Sequence, residues 1–162
     1  MEIDDAPLRV RARDERDVHE IVEWITDAAA LHLFSGPGLT WPLTTGQLQS
    51  MSAIDGLTAW VVVEPSEGLL GHFDLTVDGP VARLGRVIVN PALRGRGRAI
   101  ALVDLALAQA RQLGAETIRL NVIRTNEPAI RTYRRAGFVA VPGDPDRADV
   151  TVMERRLVAA SR

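Results

Sequence analysis

The sequence predicts one mixed α/β domain, a central mixed sheet of about seven strands with helices on both faces. Three observations lead there. Apolar residues repeat alternately with the short period of strands and the longer period of helices. Asp78-Gly79, the commonest two-residue hairpin signal, stands between two long apolar runs. A β-branched run, Val87-Ile88-Val89, stops at Asn90-Pro91, and Arg94-Gly95-Arg96-Gly97-Arg98-Ala99 then leads straight into a long apolar helix. At 162 residues the chain has the length of a single domain, taken as 1–162, and can bury a full core.

Taken in order, residues 8–12 alternate as a first strand should. Asp14 can cap a helix, with Asp17 three residues on completing a capping box. Val18, Ile21, Val22 and Ile25 form its apolar face. Gly36-Pro37-Gly38 breaks the chain, and Thr44 or Thr45 caps a short second helix carrying Leu48 and Met51. Strands are expected at 59–64, 69–77 and 81–89. Pro80 weakens the first pairing of the hairpin, so its register can slip by one. A helix over 99–113 ends at Gly114. A strand over 117–122 follows, then a helix capped by Asn126 with Pro128 in its first turn. Strands over 138–141 and 148–155 close the chain.

Composition narrows the function. The 46% apolar and 25% charged content is that of an ordinary globule, and a net charge of −2 leaves no nucleic-acid footprint. An aromatic content of 4% argues against a base-stacking surface. The chain has no cysteine, which excludes disulfides, thiolate metal sites and a cysteine nucleophile. No His/Asp/Glu cluster has metal-ligand spacing, so no metal is expected. No signal-like segment or membrane-length apolar run is present; a cytoplasmic protein without membrane partners is the expectation.

The loop from Arg94 to Arg98 carries the chemistry. Two glycines let the backbone curl until several N–H groups converge. The helix start adds unpaired N–H groups and the positive end of its dipole. Arginines add charge-assisted, forked hydrogen bonds. The loop suits a pyrophosphate, although a plain strand-to-helix turn with a solvated basic rim fits the same residues. It is neither a dinucleotide fingerprint nor a Walker loop.

Arg94-Gly95-Arg96-Gly97-Arg98-Ala99 resembles the acyl-CoA loop of the GCN5-related N-acetyltransferases, Arg/Gln-x-x-Gly-x-Gly/Ala. About thirty residues on, Asn126-Glu127-Pro128-Ala129-Ile130-Arg131-Thr132-Tyr133, followed by Gly137-Phe138, is similar to that family's second signature. The likeness is strongest from Leu69 to Phe138. It implies an acyl-CoA N-acyltransferase fold in which the fourth and fifth strands splay apart. It also implies acetyl-CoA as co-substrate, with its pantetheine arm against Val87, Ile88 and Val89 and its pyrophosphate on Arg94, Gly95, Arg96, Gly97, Arg98 and Ala99. Asn126 would bind the arm, and Tyr133 would protonate the departing thiolate. A homodimer is the common assembly of such proteins. Helical spacing supports the last pair independently, because residues seven apart share a face.

The base is harder to place. Many members carry a carboxylate on the fourth strand, and residues 82–89 hold no acid. Asp74 on the third strand is the nearest candidate. A two-residue turn at Asp78-Gly79 would set it opposite Arg83, so a cross-strand ion pair is the competing reading. His72 shares its face and could relay a proton or touch substrate, or be structural. Trp41, between glycine and proline turns in the segment 33–43, is a candidate for the acceptor wall, while Trp24 reads as helix packing. Arg83 and Arg86 suggest an acceptor with its own carboxylate. The leading function is acetyl transfer to a small-molecule or peptide amine; an acyl-CoA-binding sensor without turnover is the alternative.

Overall fold

A computed structural model describes residues 7–157. Its elements are β1 (Arg9–Ala12), α1 (Glu15–Trp24), α2 (Ala28–Ser35), α3 (Thr45–Ser50), β2 (Leu57–Glu64), β3 (Gly68–Asp78), β4 (Val81–Val89), α4 (Arg98–Gln112), β5 (Thr117–Ile123), α5 (Glu127–Arg135), β6 (Val139–Val141) and β7 (Val150–Arg156). The strands form one sheet in the order β1-β2-β3-β4-β5-β7-β6. Every pairing is antiparallel except β4 with β5.

Helices cover both faces, as expected. On one side Leu102, Val103, Ala106, Leu107 and Ala110 of α4 share a buried cluster with Leu70, Phe73, Leu75, Leu84, Ile118 and Leu120, and Tyr133 of α5 joins it. On the other side Val18, Ile21, Ile25, Leu31, Phe34 and Leu48 pack with Val61 and Ile88. The Asp14 capping box forms: Asp17 N–H donates to Asp14 Oδ1 at 3.0 Å and Asp14 N–H to Asp17 Oδ2 at 2.7 Å.

Where the sequence pattern expects two helices before the second strand, there are three. The chain leaves α1 at Ile25 (φ −100°, ψ 103°) and restarts when Asp27 Oδ1 accepts the Ala30 N–H at 2.7 Å. Thr26-Asp27 ahead of three alanines is therefore a cap, and α2 starts as a separate helix.

The β3–β4 hairpin slips by one residue. Asp78 pairs with Val81, so the loop is Gly79-Pro80 rather than Asp78-Gly79. The ladder is thus spared a residue without an N–H, and the Pro80 carbonyl accepts from Glu116 and Thr117 at the start of β5. Arg83 then lies opposite Thr76, and Asp74 opposite Gly85. Between His72 and Asp74 the register shifts again because β4 holds one extra residue there, a bulge at which Arg86 takes φ +46°.

Candidate active site

The sheet opens just past this bulge. β4 and β5 pair only from Val81↔Thr117 to Leu84↔Leu120; beyond them the two strands have no ladder. The Asn90 N–H turns to β3, bonding Leu70 O at 2.7 Å, so the Val89 carbonyl on the same peptide points the other way, into the gap. A cavity of about 500 Å³ fills the opening. Val87, Ile88 and Val89 form one side, Arg94, Gly95, Ala99 and Val103 the end, and Asn126, Pro128, Ala129, Thr132 and Tyr133 the other side.

The loop at the mouth is curled as its glycines allow. Gly95, Arg96 and Gly97 take φ of +97°, +59° and +71° in succession. The N–H groups of Gly95, Arg96, Gly97, Ala99 and Ile100 find no acceptor among the described residues, so they are available to an anion. Arg94 lines the cavity; Arg96 and Gly97 are exposed and stand outside the lining. Arg98 stands outside the lining; its Nη1 donates to Leu93 O at 2.9 Å and its Nη2 to Glu67 Oε2 at 2.8 Å, which ties the loop to the β2–β3 turn.

Asn126 both caps α5, its Oδ1 accepting the Ala129 N–H, and lines the cavity. Tyr133 lies two turns further on the same face. Its ring is buried edge-on against Phe138, centroids 5.6 Å apart. Its hydroxyl has no protein partner among the described residues, yet no buried side-chain polar atom is left both sealed and unpartnered; the hydroxyl therefore reaches the cavity. Burial pushes the phenol above its ordinary pKa, which keeps it protonated near neutrality.

Asp74 and His72 lie elsewhere. Asp74 is 1% exposed, and both its oxygens accept from Arg86, Nη2 to Oδ1 at 2.8 Å and Nε to Oδ2. The expected partner, Arg83, is exposed and lies two residues from Gly85, the residue opposite Asp74. That fork seats the bulge at Arg86, and Asp74 stands outside the cavity lining. His72 is fully buried. Arg13 can only donate, so Nε2 of His72 accepts from Arg13 Nη1 (3.1 Å) and Nδ1–H donates to the Arg86 carbonyl (2.8 Å). Burial lowers its pKa to about 4; both nitrogens are engaged and the ring stands outside the cavity lining. With Arg86 held by Asp74 and Arg83 outside the cavity lining, neither arginine is placed to receive an acceptor carboxylate there.

The remaining wall comes from α1 and α2: Trp24, Ile25, Ala30, Leu33 and Phe34. Leu33 and Phe34 fall in the segment singled out from sequence. Trp41 does not line the cavity. Gln47 accepts from Thr40 N–H at 2.9 Å and donates to Pro42 O at 3.0 Å, which straps residues 40–42 onto α3. Trp24 packs against the α1–α2 cluster, as its helical position suggests, and in addition lines the cavity. Its position in the last turn of α1, three residues after Ile21, lets one edge meet the core while the rest reaches the cavity.

Comparison with known proteins agrees with this geometry. The acetyltransferase (GNAT) family matches residues 13–138. Two curated relatives are mycothiol acetyltransferases, from Propionibacterium freudenreichii subsp. shermanii (41% identical over 56 residues, 35% of this chain and 18% of that one) and Mycobacteroides abscessus (38% over 73 residues, 45% and 24%). The matched stretches thus span about a quarter or less of those relatives' length. Among solved structures, the spermidine N-acetyltransferase of Vibrio cholerae in complex with CoA and spermine superposes with a TM-score of 0.77 at 20% identity, covering 93% of this chain and 95% of that one. A putative phosphinothricin N-acetyltransferase gives 0.73 at 19%, covering 94% and 100%. Splayed strands, an N–H-rich basic loop, a cavity-facing tyrosine and the match over residues 13–138 lead to one conclusion: the chain belongs to the acetyltransferase (GNAT) family.

Proposed function

We propose that this chain transfers an acetyl group from acetyl-CoA to a primary amine by direct attack within a ternary complex. The observation that carries the reading is the phenol of Tyr133, whose hydroxyl, unpartnered among the described residues, opens into the same cavity as the free edge of β4 and the N–H-rich loop. The residues present fit acetyl-CoA. The free N–H groups of residues 95–100 and the charges of Arg94 and Arg96 suit its phosphates. The open backbone edge of β4 suits the amides of its arm, and the Asn126 amide NH₂ is left to donate once Oδ1 is held in the cap. A structural neighbour is a complex with CoA, which is consistent with the same co-substrate here.

Acetyl-CoA supplies an acyl group already activated as a thioester. The chain's own part is placement and polarisation. The β4 edge orients the thioester, a main-chain N–H there polarises its carbonyl, and Tyr133 gives its proton to the sulfur as the carbon–sulfur bond breaks. Replacing Tyr133 with phenylalanine keeps the ring and its contact with Phe138 and deletes only that proton. Single-turnover chemistry in Tyr133→Phe should fall by about 10²–10⁴-fold, with CoA affinity nearly unchanged. A rate within about threefold of wild type would remove Tyr133 as the acid.

One observation favours a second reading, an acyl-CoA-binding sensor: among the described residues no carboxylate or histidine lines the cavity. Acetyl-CoA-dependent release of free thiol across a panel of amines separates the two, since a sensor binds CoA and releases none.

A further inference from the structure

The α1–α2 side of the cavity is apolar throughout. Trp24, Ile25, Ala30, Leu33 and Phe34 make it, and Leu33 faces the opening with 47% of its surface exposed. Among the described residues around the cavity, the one charged side chain is Arg94 and the one titratable hydroxyl is Tyr133. The carboxylates that flank the wall in sequence are outside the lining: Glu23 is exposed, and Asp27 holds the N-terminus of α2. Asp74, paired with Arg86, also stands outside the lining.

Such a cavity lacks both things a strongly basic acceptor requires. It has no anion to hold an ammonium group, and Arg94 repels one. It also has no base to neutralise the attacking nitrogen. A lysine-type amine with a pKa near 10.4 is neutral in about one molecule in 2,500 at pH 7. An α-amino group, pKa about 7.7–8.0, is neutral in roughly one in six to eleven. What the wall does offer is apolar surface to an apolar body.

Resting on the acetyl-transfer reading, we propose that the acceptor is a weakly basic primary amine carrying an aliphatic or aromatic body, seated on Trp24, Leu33 and Phe34, and not a polyamine. The step balances without a protein base. The neutral nitrogen attacks the thioester carbon and the carbon–sulfur bond breaks. Sulfur takes the Tyr133 proton, and the proton shed by nitrogen returns to the tyrosinate through solvent. Amide and free thiol are the products.

The test uses the full chain, acetyl-CoA and four acceptors: phenylalaninamide, glycinamide (equally weak base, no body), phenethylamine (same body, strong base) and spermidine. At pH 7, kcat/KM for phenylalaninamide should exceed that for glycinamide by about tenfold or more. It should exceed those for phenethylamine and spermidine by about 10²-fold, following the neutral fractions. It should climb about tenfold per pH unit up to the acceptor's own pKa and level there. Leu33→Glu, at an exposed position that tolerates the change, should cut phenylalaninamide turnover about tenfold and raise that of spermidine, with CoA affinity as the control. Spermidine as the better wild-type acceptor, or an unchanged preference in Leu33→Glu, overturns the proposal. So does a preference for octanoyl-CoA over acetyl-CoA that Leu33→Glu abolishes, which would give the wall to the acyl chain. CoA binding with no turnover of any amine would instead sink the transfer reading itself, and the acceptor with it.

Discussion

A histidine whose two ring nitrogens are both engaged is a structural polar group, and its protonation state becomes a matter of stability. His72 holds a pKa of about 4 because it is buried, against about 6.5 in the unfolded chain. Between those values the unfolded chain takes up a proton that the native ring refuses. The stabilisation is therefore whole above pH 6.5 and drains away as the pH falls toward 4, by up to about 3 kcal/mol. Asp17 acts lower. Burial works against its ionisation, but the hydrogen bond from Arg11 and the Asp14 backbone hold its carboxyl below the ordinary range, so its own contribution fades only in stronger acid. Urea unfolding at pH 7, 6 and 5 should show wild-type stability falling through this window. His72→Gln should start weaker and stay nearly level; a parallel decline in both would show that another group titrates. Sequence alone could not settle this residue. Its neighbours Arg13 and Arg86 are 59 and 14 positions away, and the Arg86 carbonyl reaches it only because of a bulge.

At the scale of elements, the loop before α4 divides its arginines by task. Arg96 is exposed at positive φ with no ion-pair partner among the described residues, whereas Arg98 bonds Leu93 O and Glu67. Arg96→Glu should weaken CoA binding by more than Arg96→Ala, with little change in stability, because it adds repulsion to lost attraction. Arg98→Ala should lower stability first, by roughly 0.5–1.5 kcal/mol for its hydrogen bonds, and CoA affinity only through a looser loop. Titration calorimetry and thermal melts on the three variants check the division; an Arg98→Ala melt at the wild-type temperature would refute it. Gly97 is a poor steric probe, since its φ of +71° would strain valine whatever the phosphate does. Asp27 belongs to another element, the wall. Losing its cap in Asp27→Ala should cost about 1 kcal/mol and expose the α2 amides to hydrogen exchange before those of α4. Equal exchange in the two helices would count against α2 as a separately capped unit.

What could be read ahead of the structure sorts by the same scale. The Arg94–Ala99 loop, the Asn126 cap, Tyr133 two turns on and the Val87–Val89 strand are local patterns, set by turn chemistry and helical period, and all but part of the loop line the cavity. The partner of Asp74 is not local. It depends on whether Pro80 sits in the turn or the ladder, and a one-residue slip reassigns every cross-strand neighbour. Trp41 is missed for a similar reason: the Gln47 strap, not a periodic feature, holds its segment on α3, while Trp24 both packs on the α1–α2 cluster and lines the cavity.

At the scale of the whole molecule, the sheet keeps two apolar clusters apart. The helices that wall the cavity, α1 and α2, belong to the one that also holds α3, Val61 and Ile88; Tyr133 and α4 belong to the other. Ile21 and Ile118, both fully buried, sit one in each. Ile21→Val and Ile118→Val should each cost about 0.5–1.5 kcal/mol, and the double variant should lose their sum within about 0.5 kcal/mol, as residues without shared neighbours do. A larger coupling in denaturant titrations would mean that strain crosses the sheet. Independence of this kind has an evolutionary consequence. Substitutions that reshape the helical wall draw on their own reserve of stability, so a lineage can change which amine it admits while the phosphate loop and its tyrosine stay as they are.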